Sequence, residues 1–170
     1  MTDSDTDLDA PAPIFSADDG IDELWIKAYQ GEVLGEAFFS GVADRLSDDE
    51  RARKMRVLAT LERRTKDAVA PSLERAGIST EPDPAMVSVA EALVPDSAGG
   101  AWEDLMSSVV NVTGQYMPLY RRIGELNPAE GETAELLLAH EVALADFARA
   151  ELAGHTATSL DPVNALAHMR

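Results

Sequence analysis

The chain contains no cysteine, which excludes disulfides, thiolate zinc sites and cysteine-ligated iron–sulfur clusters. That absence fits a reducing compartment, and a cytoplasmic location is the expectation. No apolar run approaches the roughly 18 residues that a membrane span needs. Met1 to Asp9 is acidic, without the basic and apolar regions of a secretory signal, so no membrane partner is expected. Basic residues are scarce: 14 Lys and Arg stand against 31 Asp and Glu, for a formal charge of −17. Nucleic-acid binding depends on neutralising phosphates, and nucleic acid is therefore not an expected partner. Aromatics are only 5% of the chain, whereas Ala, Leu and Glu are plentiful, a balance that favours helices over strands. No G-x-G-x-x-G, P-loop, nucleophile elbow or H-E-x-x-H occurs. His140-Glu141 is followed by Val142-Ala143-Leu144, which is no zincin motif.

At 170 residues there is room for one domain with a substantial core. Residues 1–20 carry six aspartates and three breakers, Pro11, Pro13 and Gly20, and read as a disordered acidic tail. Apolar residues spaced alternately by three and four predict a helix over 21–46, with Trp25, Ala28, Phe39 and Val42 on its seam. Ser47 and Glu50 are spaced as a capping box for a second helix over 49–76, with Pro71 inside it and Gly77 as its stop. Breakers crowd residues 77–100, where Asp83 and Pro84 suit the start of a short helix ending near Leu93. The third long helix, over 101–123, has Leu105, Val109, Val112, Tyr116 and Ile123 as its seam. Its run Val109-Val110-Asn111-Val112-Thr113 has strand propensity, but the flanking period is helical and no partner strand exists, so a bent helix is expected. A fourth helix runs over 129–153. Residues 155–170 form a C-terminal tail or short helix, with Asp161 as its cap. Two hairpins joined by one long crossover give the expected fold: an all-α, antiparallel four-helix bundle over 21–154.

Acidic residues interrupt these seams. Glu32 and Glu62 lie equidistant from the Ser47-Asp48 turn, so an antiparallel hairpin sets their carboxylates opposite one another. Glu141 fills the vacant slot in the seam Ala134, Leu137, Leu144, Ala148. Glu36 lies one turn beyond Glu32, and His140 precedes Glu141, about 100° round the helix. Burying an isolated carboxylate costs several kcal/mol, roughly, so three in one core call for a metal, a cation or protons.

Glu-rich helices, the long crossover, Gly31-Glu32-Val33-Leu34-Gly35-Glu36 and His140-Glu141 together resemble the ferritin-like superfamily. The resemblance implies a dimetal site held by carboxylates and histidines of four helices, one Glu from each of two helices and a Glu-x-x-His from each of the others. Glu32, Glu62 and Glu141 correspond to first-, second- and fourth-helix glutamates. Thr65 and Leu144 stand where the two histidines would be, and the third helix offers only Asn111 and Gln115.

The expected function is a ferritin-like protein with a reduced iron or manganese site, its ligands drawn from Glu32, Glu36, Glu62, His140 and Glu141. It would support redox chemistry on oxygen, peroxide or a small organic molecule. The alternative is a metal-free bundle that binds a partner or small molecule, with its acids protonated or salt-bridged, Glu62 to Lys66 for instance. Tyr29, Tyr116 and Tyr120 are candidates to line a pocket or carry a radical near a metal, but read first as buried amphipathic residues, and His155 and His168 as tail residues without a role. Nine of the fourteen basic residues lie between Arg45 and Arg75 and read as a solvated face, with Asp49–Arg53 and Glu50–Lys54 pairs. A second apolar set on the first helix, Leu34, Ala37 and Phe38, is a candidate homodimer face.

Overall fold

The computed structural model describes residues 14–170, and every regular element among them is a helix. The elements are α1 (Ile21–Arg45), α2 (Asp49–Arg75), α3 (Pro84–Gly99), α4 (Trp102–Leu126), α5 (Gly131–Leu152) and α6 (Asp161–Ala165), with 3-10 turns at Pro128–Glu130 and Ala167–Met169. α1 packs along α2 and α4 along α5, while the two pairs meet through α1 with α4 and α2 with α5. α3 lies on α1. The result is a helical bundle with the crossover laid along one side. No helix among the described residues is long and apolar enough to cross a membrane.

Local chemistry sets the helix ends. Asp48 rather than Ser47 caps α2: its carboxylate accepts from the backbone N–H groups of Glu50 and Arg51 at 3.0 and 2.9 Å. A full negative charge suits the helix N-terminus better than a neutral hydroxyl. Gly77 stops α2 as expected, at φ +73°, with the Ile78 amide returned to the Leu73 carbonyl. Asp83 caps α3, which runs past Leu93 to Gly99 with Pro95 inside. The ring removes one hydrogen bond, and the helix resumes behind it, as Asp96 accepts from the Gly100 amide. Residues 109–113 are helical, with Pro118 also inside α4. α6 begins after Leu160 without a side-chain cap, so Asp161 lies inside the helix.

The expected acidic tail falls mostly on residues outside those described. Ile14 and Phe15 are described, and they pack against the half of the core that contains Trp25, Leu73 and Ile123. Asp19 pairs with Lys27. The basic residues of α2 are mostly engaged within the chain. Lys54, 3% exposed, pairs with Glu151 at 2.5 Å and donates to the Thr156 carbonyl, while Glu151 also accepts from the Trp102 indole. Lys54 therefore does not pair with Glu50, which instead takes Arg53. Arg75 pairs with Glu130.

The apolar core comes in two halves. One surrounds Met55, Leu58, Met106 and Phe147; the other surrounds Trp25, Leu73, Leu119 and Leu137. On α1, α2 and α5 the residues between the halves are Glu32, Glu62 and the His140-Glu141 pair. All four are buried, so a polar layer divides the core at mid-bundle.

Candidate metal centre

Three helices build this layer. Glu32 comes from α1, Glu62 from α2 and His140 from α5, and each offers a ligand atom within 4.8 Å of the others. His140 stands between the two glutamates that the hairpin brings round. Its Nδ1 is 3.3 Å from Glu32 Oε2, and its Nε2 is 3.3 Å from Glu62 Oε1. The second contact has hydrogen-bond geometry. The first does not: Glu32 Oε2 and His140 Nδ1 are both buried without a hydrogen-bond partner. If Nε2 carries the ring proton to Glu62, two lone pairs face one another across that 3.3 Å gap. An unsatisfied pair of buried acceptors is costly, and either a proton on Nδ1 or a metal ion removes the conflict.

In the metal-free layer protons take that role. Burial pushes the Glu62 carboxyl up to about 8, opposed by His140 and reinforced by Glu32. Burial likewise raises Glu141 well above the ordinary carboxylate range, against the pull of His140. Burial disfavours charge on His140, but the facing carboxylates of Glu32 and Glu62 outweigh it and hold the imidazole well above its usual value. Without a cation the layer therefore retains protons. A divalent ion would displace them and let two carboxylates and a neutral imidazole act as ligands. Oxygen and nitrogen donors without thiolate suit iron, manganese or zinc rather than soft copper(I). The residues fit a metal.

The sequence candidates separate in space. Glu32, Glu62 and His140 converge. Glu141 is buried beside them, in the reach of the Tyr120 hydroxyl, but outside the group of three. Glu36 is half-buried and pairs with Lys66 at 2.5 Å, which leaves Lys66 as the partner of Glu36 rather than Glu62. Asn111 is exposed and Gln115 half-buried.

Tyr120, read from the sequence as a buried amphipathic residue, donates its hydroxyl to Glu32 Oε1 at 3.2 Å. Other contributors were not singled out from the sequence. Gly31 and Gly35 flank Glu32 on α1. A Cβ on Gly31 would lie 2.7 Å from the Tyr116 ring, and one on Gly35 2.6 Å from the Glu62 carboxyl. Bare backbone at these two points admits both side chains to the layer. The repeated Gly-Glu spacing was the available signal. His168, from the C-terminal turn, meets Thr65 at 3.0 Å, one helical turn from Glu62. Its sequence separation from Thr65 is 103 residues, so local pattern carried no trace of it.

A cavity of about 300 Å³ opens onto the layer. Leu93 and Val112, both about half exposed, stand at its mouth, and Leu34, Phe38 and Val109 line its walls. Glu32, Glu62, Glu141, Tyr116 and Tyr120 form its inner end. Leu34 and Phe38 of the candidate homodimer face are thus half-buried against the chain's own cavity. Val112, expected on the seam of its helix, is exposed at the mouth instead.

The chain matches no family model, no curated protein and no solved structure.

Proposed function

We propose that this protein is an antiparallel four-helix bundle of ferritin-like architecture that holds one iron or manganese ion through Glu32, Glu62 and His140. The observation that carries the reading is the convergence of Glu32, Glu62 and His140, all buried, each offering a ligand atom within 4.8 Å of the others. The architecture is supported by two helix pairs joined by a crossover that packs along α1. Bound iron or manganese would supply redox chemistry toward oxygen, peroxide or a small organic molecule. The chain's own part is to exclude bulk water and to keep protons close to the reacting end of the cavity. Tyr116 and Tyr120, raised by burial and by the neighbouring carboxylates, stay as neutral hydroxyls there. The lack of cysteine supports a reducing, cytoplasmic setting.

Metal analysis of protein purified without chelators, followed by manganese(II) and anaerobic iron(II) titration, tests this. About one equivalent should bind to wild type. Glu32→Gln, which keeps an acceptor for Tyr120, should weaken it by 10-fold or more, roughly. Wild type that takes up neither metal overturns the reading. A metal-free binding protein is then favoured, because an imidazolium at His140 lies within 3.3 Å of each carboxylate. In that case Glu62→Leu should stabilise the fold.

A further inference from the structure

We propose that the cavity binds an uncharged, largely apolar molecule of aromatic-ketone size, with one acceptor oxygen that takes a hydrogen bond from the Tyr116 hydroxyl. The ligand binds with or without a metal in the adjacent layer, and this reading stands apart from the metal one.

Size and lining come first. An apolar cavity of roughly 150 Å³ accepts benzene, and this one, at about 300 Å³, admits an aromatic ring with a side group. Its walls include Leu34, Phe38, Leu105, Val109 and Leu144, and the entrance between Leu93 and Val112 is apolar as well. Such walls give a hydrocarbon body its burial and leave specificity to the few polar groups they carry. No lysine or arginine lines the cavity among the described residues. A carboxylate or phosphate head would therefore give up its hydration without gaining a cationic partner. An uncharged head binds whether protons or a metal neutralise the glutamates of the inner end.

Hydrogen bonding then selects among uncharged heads. On α4 the Ser108 and Thr113 hydroxyls donate to the carbonyls of Asp104 and Val110, each at 2.9 Å. The Tyr120 hydroxyl is taken by Glu32. Tyr116, half-buried at the inner end, is different: among the described residues no hydrogen bond engages its hydroxyl. That hydroxyl lies over the bare backbone of Gly31, where a Cβ would come within 3.0 Å of it. A phenol keeps its proton at neutral pH and offers it to any acceptor oxygen brought alongside. A ketone or ether oxygen answers that donor and brings no donor of its own to be satisfied. A plain hydrocarbon leaves the hydroxyl without a partner once water is displaced.

Acetophenone, isopropylbenzene and benzoate share a ring with the same branching and differ in the head: an acceptor oxygen, no polar atom, and an anion, ionised at neutral pH as an aspartate is. Calorimetric titration of the full chain at pH 7, chelator-treated and manganese-loaded, compares them. Acetophenone should bind both preparations, at least about tenfold tighter than benzoate. Tyr116→Phe, with folding verified by circular dichroism, should weaken acetophenone by about three- to tenfold, the worth of one neutral hydrogen bond, and leave isopropylbenzene within about twofold of wild type. Val112→Trp, at the exposed mouth, should weaken both uncharged probes; unchanged affinities there would place the ligand elsewhere and overturn the proposal. Benzoate as tight as acetophenone, no binding of acetophenone by wild type, or equal losses of acetophenone and isopropylbenzene in Tyr116→Phe overturn it as well. Manganese uptake without acetophenone binding defeats this inference alone. Acetophenone binding in protein that takes up no metal defeats the metal reading alone.

Discussion

Replacing Glu62 with Gln in metal-free protein isolates the cost of burying an acid at mid-bundle. The carboxyl moves from an ordinary 4.5 to about 8 on folding, chiefly through burial. Because the folded value is the higher one, the group's contribution is most favourable below 4.5 and is lost as pH rises toward 8. The whole window is worth at most about 5 kcal/mol, and the interval from pH 5 to pH 7 at most about 3 kcal/mol. For a chain of this length that is a fall of about 6–12 °C in melting temperature. His140 and Glu141 are raised too, and their contributions decline with rising pH in the same sense. The comparison with Glu62→Gln therefore matters more than the wild-type slope. Urea unfolding of chelator-treated wild type and variant at pH 5, 6, 7 and 8 should give curves that diverge, the variant gaining relative stability as pH rises. Parallel curves across that range would refute the claim that Glu62 is held protonated by burial.

Gly35→Ala adds a methyl group 2.6 Å from the Glu62 carboxyl, so manganese affinity should drop by about tenfold or more in an equilibrium titration. The helix itself gains up to about 1 kcal/mol of propensity, so a loss of metal without a loss of fold is the expected signature. Manganese binding should also weaken as pH falls from 8 to 6, because the ion competes with protons held on Glu62 and His140; pH-independent binding would place the ion elsewhere. Lys54→Met leaves Glu151 buried without its cation and should cost about 3 kcal/mol or more in chemical denaturation. Adding Glu151→Gln should recover part of that loss.

The periodicity of apolar residues alone determined that this chain is helical and where its long helices lie. Seam residues such as Met55, Leu58, Val69 and Leu73 are buried as their spacing requires, because a helix repeats its faces regardless of what it packs against. Glu32, Glu62 and Glu141 were legible as exceptions for the same reason: an acid in an apolar seam is conspicuous before any fold is known. Asp48 in place of Ser47, and the extension of α3 through Pro95, were not legible, since two adjacent residues of similar capping strength are separated only by local backbone geometry.

What tertiary structure decided was which of the candidates meet. His140 faces inward between Glu32 and Glu62 because α5 is buried over a wide arc, with Ala143, Leu144, Ala145 and Phe147 all buried beside it. A sequence read as a single seam puts His140 to one side of it. Glu36 left the candidate site for Lys66, a partner 30 residues away that no spacing within one helix reveals. The cavity lies where α1, α3 and α4 come together, with Gly31 and Gly35 on its wall. Such a space is a property of the gaps between helices, and one helix's pattern specifies its own faces but not the distance to its neighbours.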